Sequence, residues 1–200
     1  MTLEKIYLPE QYYFITTNIL NKEWVFGKLI HGIYEPNERL CVAFIKALNE
    51  LRKIMGFLLS GYVIMPNHVH LILKTAENES FDTAEDKSSA TRFNDVGIPT
   101  RVGENSFSPG HNISQIMKAI KGRSARIINE ILGKNGQLWQ HSFYEHGIRN
   151  EQDFIEKLNY IHFNPVRAGL VEDQSDFKYS SYQNYHLDDD LIIKIDKIDL

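Results

Sequence analysis

Apolar positions along the chain come first in short blocks and then at helical spacing. YYFITTNIL (12–20) is apolar and rich in β-branched residues, which predicts a strand. NERLCVAFIKALNELRKIM (37–55) repeats apolar residues at Leu40, Phe44, Ala47, Leu48, Leu51 and Met55. That spacing predicts a helix, with Asn37 as N-cap and Gly56 just past the end. FLLSGYVIM (57–65) and HVHLILK (68–74) read as two strands joined by a turn at Pro66-Asn67, hence a hairpin. NISQIMKAIKGRSARIINEIL (112–132) is a second helix, and GQLWQHSFYEHGIR (136–149) suggests another strand. NEQDFIEKLNYIHFN (150–164) is a third helix capped by Asn150. It is expected to end at Asn164, because a residue before proline is disfavoured in the α region. DDDLIIKIDKIDL at the C-terminus reads as a late strand or a frayed end, and residues 76–110 as a polar insertion with no period.

The element order is β-α-β-β-α-β-α. Its first six members are the order of a ferredoxin-like α+β sandwich, an antiparallel sheet with helices on one face, and a further helix follows. A chain of 200 residues suits one domain. The expected organisation is a single domain over residues 1–185, interrupted at about 76–110, followed by an acidic tail at 186–200.

Composition narrows the function classes. A lone cysteine, Cys41, excludes an internal disulfide framework and a cysteine-based zinc cluster. Neither a signal peptide nor an apolar run of membrane-spanning length is evident, so the expectation is a cytoplasmic protein with no membrane partner. The net charge of −4 by itself argues against nucleic-acid binding, because phosphate-binding surfaces need clustered cations. It conceals a split, however. Residues 111–134 carry Lys118, Lys121, Arg123, Arg126 and Lys134 against Glu130, a net +4; residues 171–200 carry eight acids against three lysines, a net −5.

The chemistry-bearing stretch is GYVIMPNHVHLIL (61–73). Side chains alternate along a strand, so His68 and His70 share a face and Val69 takes the other. Two adjacent imidazoles can bind one metal ion and leave coordination positions open. Two histidines on a strand are about as often merely structural. A three-histidine zinc site is open from the residue list, with His141, His146 or His162 as the third ligand. Downstream, NYIHFNPVRAGLV (159–171) spaces Tyr160 and Asn164 on one helix face, with Glu156 a turn earlier. Tyr160 lies off the apolar stripe of Phe154, Leu158 and Ile161. By itself, a helical tyrosine there is usually a core-edge residue.

PNHVHLIL followed about 90 residues later by YIHFNPVRAGLV resembles the single-tyrosine HUH transposases, named for a His-hydrophobic-His motif, here His68-Val69-His70. Within that superfamily the chain is most similar to the REP-associated tyrosine transposases. The likeness also takes in MPNH (65–68), LWQHSFYEHGIR (138–149) and SSY (180–182), and covers roughly residues 10–185 apart from the insertion.

The resemblance implies cleavage and rejoining of single-stranded DNA at hairpin-flanked sites. Tyr160 would be the nucleophile, giving a 5′-phosphotyrosine and a free 3′-OH. His68, His70 and Asn164 would hold a divalent metal, Mg²⁺ or Mn²⁺. A tyrosine phenol is a weak nucleophile at neutral pH (reference pKa about 10), so placement and metal charge must supply most of the rate. The implied partner is single-stranded DNA carrying a REP-like or element-end hairpin, and the implied location is nucleoid-associated. Relatives act as monomers or as homodimers, and both stay open here.

Lys118, Lys121, Arg123, Arg126, Arg149 and Arg167 are candidates to grip the DNA backbone, although a solvated helix face is the plainer reading of any one of them. Trp139, Phe143 and Tyr144 are candidates to stack on unpaired bases, with core packing expected for at least one. Two other classes fit parts of the pattern: a non-catalytic module of ferredoxin-like fold that binds single-stranded nucleic acid, and a zinc hydrolase.

Overall fold

A computed structural model describes residues 11–75 and 111–198. The insertion at 76–110 therefore lies outside the described residues. The strands are β1 (Tyr12–Asn18), β2 (Gly27–Ile30), β3 (Ile33–Pro36), β4 (Leu58–Met65), β5 (His68–Lys74) and β6 (Tyr144–Gly147). The helices are α1 (Glu38–Met55), α2 (Ile113–Leu132), α3 (Glu151–Arg167) and the short α4 (Tyr182–His186).

Within the described residues β4, β5, β1 and β6 form one four-stranded sheet in that order, with every neighbouring pair antiparallel. This is the ferredoxin-like arrangement expected from the element order. A separate hairpin, β2–β3, is inserted between β1 and α1. It was not anticipated, although its two-residue turn, His31-Gly32, has the positive φ values of a type I′ hairpin.

The helices begin and end where short-range chemistry dictates. Asn37 accepts a hydrogen bond from the Leu40 N–H, and Gly56 closes α1 in the left-handed region at φ 74°. Asn112 and Gln115 form a reciprocal capping box on α2, and Gly133 closes it at φ 62°. The helix predicted to stop at Asn164 instead runs on to Arg167 with Pro165 inside it. Proline there removes one N–H, which leaves the Ile161 carbonyl without its usual donor. The last turn is held regardless, by Ala168 N–H to Asn164 O (2.9 Å) and Leu170 N–H to Pro165 O (3.0 Å). Pro165 is itself buried.

Both faces of the sheet are covered. Tyr13, Ile15, Val69, Leu71 and Leu73 are buried on one face, beneath the mutually packed α1 and α2. Trp139 is seated in that layer against Phe26 and Phe44, and its indole N–H donates to Ser124 on α2. Cys41 is fully buried in α1, as its apolar neighbours suggested. The strand anticipated over 136–149 is thus regular only at Tyr144–Gly147, because its first part turns inward with Trp139. The other face, with Phe14, His70 and Ile72, lies under α3.

The C-terminal segment is neither a strand nor frayed over its described residues. Ile193 and Ile195 are buried, and the Asp196 backbone N–H donates to the Leu59 carbonyl at 2.8 Å. The Asp196 carboxylate accepts from the Leu59 N–H and from Arg52. Residues 193–196 therefore cover the outer edge of β4, and the domain does not stop at 185. No helix among the described residues is long and apolar enough to cross a membrane.

Gly61 sets how closely α3 approaches the sheet. A Cβ built there would lie 3.1 Å from Leu158 on α3 and 3.3 Å from Ile72 on β5, with no room for a branched side chain. Gly61→Val is expected to destabilise the protein by about 1–3 kcal/mol, the usual cost of overpacking, measured by urea unfolding. A variant as stable as the parent would show that α3 is not seated on Gly61.

Candidate active site

The antiparallel register of β1 on β5 places Thr16 opposite His70, Asn18 opposite His68 and Phe14 opposite Ile72. Alternation then turns Phe14, Thr16, His68 and His70 to one face. They line an open cleft of about 640 Å³ together with Asn18, Tyr144 and three α3 residues, Glu156, Lys157 and Tyr160. α3 begins at its own cap, Asn150, which accepts from the Asp153 N–H at 2.9 Å, and the Asp153 carboxylate meets His146 of β6 at 2.8 Å, which ties that end of the helix to the sheet.

Tyr160 and Asn164 come down on the histidine pair from above. The Tyr160 ring stands edge-on to His70, with centroids 5.4 Å apart at 80°. His70 stacks on Phe14 at 5.4 Å, and the Arg167 guanidinium lies 5.0 Å from the Tyr160 ring centroid. His68 Nε2 and His70 Nε2 are 3.2 Å apart, and the Asn164 amide lies 3.3 Å from His70 Nε2. In this rotamer Asn164 presents its nitrogen; a half-turn of the amide presents oxygen.

These separations suit a shared cation. Ligands at right angles with bonds of about 2.1 Å lie about 3.0 Å apart, and tetrahedral ligands about 3.4 Å apart. Burial keeps the imidazoles uncharged and their lone pairs available. It lowers His68 to about 4, with Lys22 adding to the effect, and His70 to about 3, with His68 and Arg167 contributing. The donor set of two neutral imidazoles and an amide therefore fits a divalent metal. A three-histidine site is not assembled: among the described residues no group of three His, Cys, Asp or Glu side chains could hold a metal. His141 is exposed, His146 bonds Asp153 at 2.8 Å, and His162 bonds Ser181 at 2.9 Å.

His162 has a different use from its neighbour Tyr160. It is buried, faces Tyr182, Tyr185 and His186, and shares Ser181 Oγ with the Tyr62 backbone N–H (3.0 Å). It ties α3 to the segment that edges β4.

The six candidate DNA-binding cations divide. Arg167 is exposed beside Tyr160, and Arg149 is exposed just before α3. Lys118 and Arg126 are exposed on α2, in the helix layer on the other face of the sheet. Lys121 and Arg123 hold the fold. The Lys121 ammonium donates to the carbonyls of Gln140 (2.6 Å) and His141 (2.7 Å), and Arg123 pairs with Glu50 on α1. Two cations near the cleft went unnoticed in the sequence, Lys157 in its lining and Lys22 beside His68. Phe14, Thr16 and Asn67 were also missed. Among the aromatic candidates Trp139 is core, while Tyr144 is 57% exposed and lines the cleft. The period-two alternation of YYFITTN marks Phe14 and Thr16 as one face, but nothing in the sequence gives the register that sets Thr16 beside His70.

The fold and this geometry define a class: a ferredoxin-like α+β protein with a His-x-His pair on one sheet face, under a tyrosine and an asparagine from a single helix turn. No family model matches the chain. A Haemophilus influenzae protein described provisionally as a REP-associated tyrosine transposase is 29% identical over 119 residues, which is 60% of this chain. The match spans 55% of that protein's length. The REP-associated tyrosine transposase of Escherichia coli K12 is 23% identical over 178 residues, covering 89% of this chain and 80% of that protein. In fold, a solved REP-associated tyrosine transposase bound to a REP hairpin superimposes with TM-score 0.57 at 19% identity, covering 92% of this chain and 84% of that one. The chain is thus similar in sequence and in fold to REP-associated tyrosine transposases.

Burial of three imidazoles has a pH consequence. His68, His70 and His162 (lowered to about 3, chiefly by burial) all have folded-state values below the ordinary 6.5. The unfolded chain therefore binds more protons between about pH 6.5 and 4. The stability these groups confer is complete above 6.5 and falls as the pH drops through that window. Metal-free protein is expected to lose unfolding free energy from pH 6.5 to 4.5, with a shallower slope in His162→Gln, both read by urea titration. Equal slopes would show that His162 ionises normally in the folded state.

Proposed function

We propose that the protein is a metal-dependent transposase that cleaves and rejoins single-stranded DNA at hairpin-flanked sites through a 5′-phosphotyrosine intermediate. The observation that carries this reading is the convergence of Tyr160 and Asn164, four residues apart on α3, onto the half-buried His68 and buried His70 at the floor of an open cleft. The relatives' names support the reaction class, and the hairpin in the solved relative supports the substrate class.

His68, His70 and Asn164 would hold Mg²⁺ or Mn²⁺, and the bound ion supplies charge that polarises the scissile phosphate and stabilises the leaving 3′ oxygen. Tyr160 attacks phosphorus. A Tyr–O–P bond forms, the P–O3′ bond breaks, the phenolic proton passes to solvent and the 3′ oxygen takes one up. The phosphodiester's energy is conserved in the phosphotyrosine, so the reverse attack by a 3′-OH rejoins strands without ATP. Arg167 over the phenol ring and Lys157 in the cleft wall draw the phosphate to the nucleophile. Phe14 fixes the site from beneath by stacking on His70 and meeting Tyr160 edge-on. The exposed Tyr144 ring offers a stacking face to an unpaired base. Arg149 extends the cationic path at the start of α3; Lys118 and Arg126 serve a duplex stem that wraps toward the other face of the sheet.

The test is a covalent adduct. Protein and its Tyr160→Phe variant are mixed with labelled single-stranded hairpins from the flanks of its own gene, with Mn²⁺, and run on a denaturing gel. Labelled protein is expected only with Tyr160 and metal together, and Tyr160→Phe should reduce it by at least about 10³-fold. A persistent adduct in the phenylalanine variant would move the nucleophile elsewhere. Hairpin binding with no adduct would favour a non-catalytic binding module.

A further inference from the structure

The second ring nitrogen of each histidine is held by a neighbour, and the two neighbours are chemically different. His68 Nδ1 lies 2.6 Å from Asn67 Oδ1. The Asn67 amide nitrogen faces the Lys22 carbonyl at 3.4 Å, so rotating the amide would set two acceptor oxygens against each other. Asn67 Oδ1 can only accept. His68 Nδ1 must then carry the hydrogen, and His68 Nε2 presents a lone pair to the site. The support behind Asn67 is a strained turn: Asn21 and Lys22 both have left-handed φ values, 56° and 55°, and the Ile19 N–H donates to the Asn67 carbonyl at 2.8 Å.

His70 Nδ1 instead meets the Thr16 hydroxyl at 2.8 Å. A hydroxyl donates or accepts according to its rotation. With no cation, and with the Asn164 amide turned so that its oxygen rather than its nitrogen faces His70 Nε2 (3.3 Å), His70 Nε2–H can donate across 3.2 Å to the His68 lone pair while Thr16 donates to His70 Nδ1. With a cation present, both Nε2 atoms must offer lone pairs, so His70 must carry its hydrogen on Nδ1 and Thr16 must accept it.

We propose that Asn67 and Thr16 are positioning residues for the metal site: Asn67 locks His68 in the Nδ1–H tautomer, and Thr16 lets His70 exchange tautomers when a divalent cation enters. In that exchange His70 gives its Nε2 proton to solvent and takes one at Nδ1, so no proton is gained or lost overall. This rests on the metal-binding reading of His68, His70 and Asn164, and lets that site satisfy its ring nitrogens both when it is empty and when it holds a cation. Outer-shell partners of this kind typically change metal affinity by about 10–100-fold.

Two measurements test it. Nitrogen-15 NMR of ring-labelled, metal-free protein is expected to show His68 as the Nδ1–H tautomer and His70 as Nε2–H, with His70 converting to Nδ1–H on saturation with diamagnetic Mg²⁺. Titration of Mn²⁺, followed by the loss of the free-ion EPR signal, is expected to give about 10–100-fold weaker binding in Thr16→Val and about 10-fold weaker in Asn67→Ala, with Thr16→Ser restored to within about threefold of the parent. Thermal unfolding of the same metal-free samples confirms that each variant is folded. His68 found as Nε2–H, or Thr16→Val binding Mn²⁺ like the parent, overturns the proposal and leaves the metal reading standing. Parent protein that binds no Mn²⁺ overturns the metal reading, and this proposal with it.

Discussion

The register between β1 and β5 is the constraint on which the site depends. Thr16 pairs with His70 and Asn18 with His68, and side chains alternate with a period of two. A one-residue slip of β5 would turn both imidazoles into the apolar layer under α1 and α2 and bring Val69 and Leu71 to the cleft. The slip is barred by burial, because Ile15, Val69, Leu71 and Leu73 are all inaccessible to solvent. The hydrophobic core thus fixes the position of the polar site. α3 is seated on the same frame through Gly61, so Tyr160 and Asn164 descend at a height set by a missing side chain.

Burial also sets the chemistry of that site. Removing water from the two imidazoles disfavours their protonation, and the nearby cations Lys22 and Arg167 push the same way. The result is a pair of neutral imidazoles whose Nε2 atoms face each other at 3.2 Å, close enough to share a hydrogen when the site is empty or to offer two lone pairs to a cation. The same cations suit an incoming phosphate. The positive charge of the basic helix is arranged differently: Arg123 and Lys121 bind α2 to α1 and to the 140–141 loop, and only part of the net charge visible in the sequence faces solvent.

Much of the fold could be read along the chain because its cues are local. Asparagine caps, glycines past helix ends and apolar stripes are short-range signals, and α1, α2, β4 and β5 follow them closely. The readings that changed are those that depend on distant partners. Pro165 is tolerated inside α3 because the turn around it is packed and its following N–H groups find carbonyls. β6 is short because Trp139 is drawn into the helix layer. The C-terminal segment looks like a solvated acidic run, yet Ile193, Ile195 and Asp196 find the open edge of β4. The β2–β3 hairpin was overlooked because its strands are four residues long and mostly exposed, so they carry no buried stripe.

The sequence by itself determined the element order, the shared face of His68 and His70, the shared face of Tyr160 and Asn164, and the family likeness of the two motifs. Each is a consequence of helical or strand periodicity, or of residue identity, within a few positions. Tertiary structure decided that these two faces meet. It also brought Thr16, Phe14 and Lys157 to the cleft and Asn67 behind His68, gave His162 its Ser181 partner, and committed Lys121 and Arg123 to internal contacts. The meeting of the two faces depends on strand register and helix seating between residues far apart in the chain, Thr16 with His70 (|i−j| 54) and Asn164 with His70 (|i−j| 94). At that separation local periodicity no longer constrains which side chains come together, and only the packing of the whole core does.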